Sequence, residues 1–158
     1  MAHSAIKQFL IISVGLIIVT INIAFVRDVA QNQPDKQLSD KKIDKVLMKF
    51  ARKINETMPI VVESGLRCEN VNALPGRKFQ YNFTLTDLLK EDVDTSRIKN
   101  FTVKRKPLLI NAIRTDPTME LFRQQKVTLI YTYRDKHANY LYNIIIKPED
   151  YQNSYHRP

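Results

Sequence analysis

Apolar and polar positions along the chain follow three different periods. From Phe9 to Val26 the sequence FLIISVGLIIVTINIAFV runs for 18 residues without a charge, the length and polarity of one membrane-crossing helix. Its polar members are Ser13, Thr20 and Asn22, and a helix satisfies Ser and Thr hydroxyls on its own carbonyls. From Ser39 or Asp40, either of them a good N-cap, the period becomes 3.6. Ile43, Val46, Leu47, Phe50, Ile54 and Met58 share one helical face, and Lys41, Lys45, Lys49 and Arg52 fall on the other. This helix reaches about Thr57, because Met58 precedes Pro59 and a residue before proline avoids helical angles. From Lys78 to Leu85 the period is two: Phe79, Tyr81, Phe83 and Leu85 alternate with Lys78, Gln80, Asn82 and Thr84, which predicts a half-buried strand.

The remaining elements follow from shorter signals. Ile60 to Val62 is a short strand signal and Leu66 to Leu74 a second one. Pro75-Gly76 forms a turn in which glycine supplies the positive φ, so Leu66 to Leu85 reads as a hairpin. Asp94 or Thr95 caps a helical region reaching Arg114, with Ile98, Phe101, Leu108, Leu109, Ala112 and Ile113 as apolar members. Pro107 is expected to kink or split it, since proline removes a helix hydrogen bond. Asp116-Pro117-Thr118 opens a short helix, Met119 to Gln124. Val127 to Tyr133, a loop at 134–139, and Tyr140 to Lys147 form a closing hairpin. The predicted fold class is α+β in the order α-β-β-α-α-β-β, an antiparallel sheet with helices on one face. The predicted organisation is a tail at 1–8, a transmembrane signal anchor at 9–26, a polar linker at 27–38, a domain at 39–150 and a frayed tail at 151–158, with fraying expected from Pro148 onward.

A bilayer takes about 20 residues, which leaves one domain of about 120, large enough for a core without metal or disulfide staples. Cys68 is the single cysteine, so the chain forms no internal disulfide, and its reading is that of a small strand residue. Twenty-five Lys and Arg against 16 Asp and Glu give a net charge of +9. That excess favours anionic partners such as lipid headgroups, nucleic acid or acidic envelope polymers. Candidate contacts are Lys41, Lys45, Lys49 and Arg52 on the first helix, and the triplet Lys104, Arg105 and Lys106.

Catalytic patterns are thin. Of the three histidines, His3 precedes the apolar span, His156 lies in the last three residues, and His137 sits in the RDKHAN loop. None is placed to serve a nucleophile triad. Cys and His do not cluster at zinc spacing. Gly15, Gly65 and Gly76 are the only glycines, too few for a phosphate-cradling loop. Glu91, Asp92 and Asp94 read as a solvated helix start, with a weak cation site as the sharper alternative. Tyr81, Tyr131, Tyr133, Tyr140 and Tyr142 on strands could stack bases beside a basic triplet, but cross-strand packing accounts for them better. The sequons at Asn55, Asn82 and Asn100 matter only in a eukaryotic secretory lumen. No cofactor, metal site or catalytic residue is expected.

The exit side of the apolar span, Ile23 to Asp28, lacks small residues at a cleavage spacing, so an uncleaved anchor is favoured over a signal peptide. Lys7 and the free amine precede the span, whereas Arg27, Lys36, Lys41 and Lys42 come after it. The positive-inside tendency alone would keep the C-terminal side cytoplasmic. Signal anchors nevertheless export the domain on their C-terminal side, so charge leaves the orientation open.

Three phrases carry a resemblance. They are Ile54-Asn55 with Pro59 and Val62; Leu74-Pro75-Gly76 with Phe79, Tyr81, Phe83 and Leu85; and Tyr131, Tyr133 and Asp135 before the final strand. Over about Lys42 to Lys147 the chain resembles a family of small, functionally uncharacterised bacterial envelope proteins, which carry a signal or anchor ahead of one domain. The resemblance implies export to the periplasmic side and transfers no catalytic residue. Members of that family have cysteines in the regions where Thr115 and Tyr151 stand here, so the disulfide the resemblance implies is absent. The resulting expectation is a non-enzymatic, single-pass binding or structural protein of the inner membrane. Its domain would be periplasmic, and its partner anionic lipid or another envelope protein. The alternatives are an enzyme acting on an envelope polymer and a cytoplasm-facing domain for anionic lipid or nucleic acid.

Overall fold

A computed structural model describes residues 38–152. The apolar segment Phe9–Val26, the segment before it and the linker up to Gln37 lie outside the described residues. Among the described residues no helix is long and apolar enough to cross a membrane.

Helix α1 (Asp40–Asn55) buries Ile43, Leu47, Phe50, Ala51 and Ile54, the face its 3.6 period marks out. The chain leaves it through Thr57, and the Met58–Pro59 peptide is cis. Strands β1 (Ile60–Glu63), β2 (Leu66–Leu74) and β3 (Lys78–Leu85) come next. Helix α2 (Thr95–Thr115) is capped by Asp94, whose carboxylate accepts from Arg97 N at 2.7 Å. Asp116 bonds Thr118 N and opens a 3-10 turn, Pro117–Met119, that leads into α3 (Glu120–Gln124). Strands β4 (Thr128–Arg134) and β5 (Tyr140–Ile146) and helix α4 (Pro148–Gln152) complete the order.

Three expectations are corrected. Of the two outcomes expected at Pro107, a kink or a split, the split does not occur: α2 runs through it from Thr95 to Thr115. The carbonyl that proline deprives of a partner belongs to Val103, and both residues are exposed, Val103 64%, a setting in which a helix tolerates the loss of one hydrogen bond better than in a core. The stretch expected to fray at Pro148 forms α4 instead. Tyr151 is buried there, its hydroxyl 2.8 Å from the Val127 carbonyl and 3.1 Å from that of Phe122. The apolar ring and this polar tip hold the segment down.

The third correction concerns the sheet. It has five strands in the order β1-β2-β3-β4-β5, with the short β1 as an added edge. Every neighbouring pair is antiparallel except β3 and β4, which run parallel. The segment between them carries α2 and α3 over the sheet and returns the chain to the end where β3 begins. A crossover of that kind delivers a parallel neighbour, where a tight turn would have delivered an antiparallel one.

Strand register sorts the side chains into rows. On the helix-covered face these are Cys68, Phe83, Tyr133 and Tyr142; Val71, Tyr81, Tyr131 and Ile144; and Ala73, Phe79, Leu129 and Ile146. Phe50 of α1 and Phe122 of α3 meet Phe79 at ring distances of 5.8 and 5.2 Å, and Phe101 of α2 meets Tyr133 at 5.6 Å. Tyr81 stacks on Tyr131 at 5.2 Å and Tyr133 on Tyr142 at 4.8 Å. Each such buried ring contributes about 1.5–3 kcal/mol through its apolar area.

The β2–β3 turn is tied to α1. Gly76 and Arg77 both have positive φ, at 78° and 57°, so the unusual backbone extends beyond the glycine. The amides of both residues donate to the Asp44 carboxylate at 3.0 Å. The Arg77 guanidinium bonds Asp40, the Gln125 carbonyl and the Leu38 carbonyl. These bonds offset the cost of about 1–2 kcal/mol of holding a side-chain-bearing residue in that conformation.

Candidate binding site

The cations singled out along the helices divide into different environments. Lys41, Lys45, Lys49 and Arg52 are all exposed along the outer face of α1. The triplet on α2 does not form a surface, because consecutive helical residues are separated by about 100°. Lys104 is exposed, and Lys106 lies 3.3 Å from Asp150. Arg105 is turned inward, 6% exposed, with a guanidinium nitrogen 3.3 Å from Glu63 at the end of β1. It also bonds the Tyr133 hydroxyl: burial pushes that phenol up to about 12, while the nearby guanidinium pulls it down.

The strand tyrosines serve the interior, apart from Tyr140, which is exposed. Burial raises the hydroxyls of Tyr81, Tyr131 and Tyr142 well above the ordinary phenol range. The hydroxyls of Tyr81 and Tyr131 have no hydrogen-bond partner among the described residues. Cys68 is fully buried, and burial together with the Glu69 charge pushes its thiol up to about 12. A thiol so far from ionisation is a poor nucleophile. His137 is exposed in the β4–β5 loop, where its amide donates to Asp135. Among the described residues no three His, Cys, Asp or Glu side chains come together as metal ligands.

The opposite face of the sheet, which no helix covers among the described residues, has a different character. Its rows are Val61, Arg67, Thr84 and Arg134; Asn70, Asn82, Thr132 and Asn143; and Asn72, Gln80, Ile130 and Ile145. The amides are joined to one another. Asn70 Oδ1 accepts from Asn82 Nδ2 at 2.8 Å and from Asn72 Nδ2 at 3.4 Å. Gln80 Nε2 donates to Asn82 Oδ1 at 3.1 Å and to Thr132 Oγ1 at 2.7 Å. Over this layer lies a shallow open concavity of about 500 Å³, lined by Arg67, Glu69, Asn70, Asn72, Asn82, Thr84, Arg134 and Lys136 among others. Arg67 Nε is 2.8 Å from Glu69, and Arg134 donates to the Ala138 carbonyl at 3.1 Å.

Sequence reasoning placed Gln80, Asn82 and Thr84 on the polar side of β3 but did not bring Arg67 or Arg134 to them. The alternation in each strand was the available signal. What it lacked was the neighbour relation between β3 and β4.

No family model matches the chain, and no curated protein does. Solved structures do. The type II secretion pilotin EpsS of Vibrio vulnificus aligns with a TM-score of 0.53 at 10% identity, covering 73% of this chain and 96% of that one. A protein of Pseudomonas aeruginosa described as secreted aligns with a TM-score of 0.54 at 11% identity, over 73% of this chain and 97% of its own. The type II secretion pilotin AspS of Vibrio cholerae gives 0.50 at 7% identity, over 70% and 94%. At these identities the likeness establishes a shared fold.

Proposed function

We propose that this chain is a non-enzymatic binding protein of the bacterial envelope. The apolar segment Phe9–Val26 holds it at the inner membrane, its domain faces the periplasm, and its partner is another envelope protein. The observation that carries this reading is the fold it shares with two type II secretion pilotins across 96% and 94% of their lengths. The surface of α2 supports it. Val103 and Leu108 are 64% and 46% exposed, and Pro107 and Lys104 lie exposed beside them. An outward stripe of apolar residues next to a lysine suits an amphipathic partner helix with an acidic flank.

Alkaline phosphatase fused after Pro158 tests the placement, and an active fusion that resists carbonate extraction is the expected result. Fluorescence of a cytoplasm-restricted reporter at the same position, with an inactive phosphatase, would refute the exported orientation. A photocrosslinking residue at Leu108 is expected to trap one envelope protein in cells, while the same probe at exposed Glu91 traps none. The alternative reading, a cytoplasm-facing domain on anionic lipid, draws on the exposed basic face of α1. The same fusions separate the two.

A further inference from the structure

Independently of that reading, we infer that the row Arg67–Thr84–Arg134 on the uncovered sheet face is a subsite for a small acidic saccharide. The molecule it fits has one carboxylate or phosphate group on a hydroxyl-rich body. Arg67 pairs across β2 and β3 with Thr84, and Thr84 pairs across β3 and β4 with Arg134. The two arginines therefore flank the threonine on one face, their backbones about 10 Å apart across two strand spacings. That span leaves room for one anionic group between two guanidinium forks. Lys136 adds a third cation to the lining, and Glu69 is the one carboxylate there. Like charges gathered in one concavity repel each other, and a bound anion adds attractions to each of them that offset that repulsion.

Thr84 is only 7% exposed and lines the concavity between the two arginines. Its hydroxyl can donate one hydrogen bond and accept others, which suits it to contact a ligand held between the arginines. Neither guanidinium is used up. Arg67 commits Nε to Glu69 and Arg134 commits one terminal nitrogen to Ala138, which leaves further N–H groups on each fork.

The layer beside this row supplies the rest of the recognition. Asn70, Asn72 and Asn82 line the same concavity, and their mutual bonds hold the amides in fixed orientations. Asn70 keeps its own NH₂ group uncommitted while its oxygen accepts twice. Oriented amide donors and acceptors match sugar hydroxyls, whereas a bare inorganic anion would leave them unused.

Calorimetry on the full chain in a polyoxyethylene detergent, which has no sugar headgroup, is the test. The probes are D-glucuronate, α-D-glucose 1-phosphate, D-glucose and inorganic phosphate. Both acidic sugars are expected to bind, with D-glucose and inorganic phosphate weaker by about tenfold or more, the scale of one charge-assisted bond. Arg67→Gln and Arg134→Gln should each weaken the acidic sugars about tenfold, and Thr84→Val should weaken them as well. Arg134→Lys keeps the charge and loses the fork, and is expected to fall between the parent and Arg134→Gln; it carries the test if a glutamine variant fails to fold. The double change Lys41→Gln with Lys45→Gln removes two positive charges from α1 and should leave binding unaltered. Absence of binding by both acidic sugars overturns the proposal. So does inorganic phosphate binding as tightly as the sugar phosphate, or an equal loss in the α1 control.

Discussion

The Asp135 carboxylate has no exposed surface and gathers the β4–β5 loop around itself. It accepts from the amides of Lys90, His137 and Asn139 and from the Asn139 side chain, at 2.8–3.0 Å. Burial alone would raise its pKa, but the bonds from Asn139, Lys90 and His137 outweigh that and hold it at about 2. A carboxyl depressed below its unfolded value of about 3.9 adds stability that is complete above that pH. The contribution disappears as pH falls towards 2. Asp135→Asn should therefore melt earlier than the parent at pH 7, and the gap between their midpoints should close between pH 4 and pH 2. A constant gap across that range in thermal denaturation would contradict this account. The buried pair of Arg105 and Glu63 makes a second residue-level prediction. Arg105→Ala leaves Glu63 buried without its cation and should cost about 3–5 kcal/mol in urea unfolding. The double change Arg105→Met with Glu63→Leu should recover most of that loss, since an apolar pair replaces an ion pair at little cost.

Among the elements, α1 separates its two jobs by face. Ile43, Leu47, Phe50 and Ile54 belong to the core, whereas Lys41, Lys45, Lys49 and Arg52 are exposed. Basic residues close to an anionic bilayer gain about 1 kcal/mol each, an effect that fades within a Debye length. The domain from Leu38 onward is expected to cosediment with anionic vesicles at low salt and to be released at high salt. Changing Lys45, Lys49 and Arg52 to Gln should abolish most of that binding and leave the circular dichroism spectrum unchanged. Equal sedimentation of parent and variant would mean that this face is merely hydrated. Helix α4 shows the other way a short element is fixed. Five residues have little intrinsic helical stability, and the packing and hydrogen bonding of Tyr151 supply what their own sequence lacks.

For the whole molecule, the reading rests on two separable parts, an apolar N-terminal segment and a domain with its own core. Placing aspartate at both Leu16 and Ile17 tests the first part without touching the second. Each charge costs about 2.5–3.5 kcal/mol at the centre of an inserted helix. The doubly substituted chain should leave the membrane fraction on carbonate extraction, and its retention there would refute the single-span reading. The net charge of +9 acts at this scale too, since it favours anionic surroundings for every face of the domain.

Local pattern determined the helix at Asp40–Asn55, the strands of both hairpins, the α+β class and the polar side of β3. Each of those depends on a period of 3.6 or 2 that can be read within a dozen residues. The resemblance to envelope proteins likewise rested on the turn and hairpin phrases around Pro75, Gly76 and Tyr131. Which strands become neighbours is a different kind of fact. The parallel pairing of β3 with β4 arises from a crossover that spans two helices, and no local period encodes where such a crossover sets the chain down. The Arg67–Thr84–Arg134 row exists only through that pairing, so the sequence held its members and the tertiary structure made them one site. The same holds for Arg105, one of three consecutive basic residues, which α2 turns inward towards Glu63 because a helix offers each successive residue a different direction.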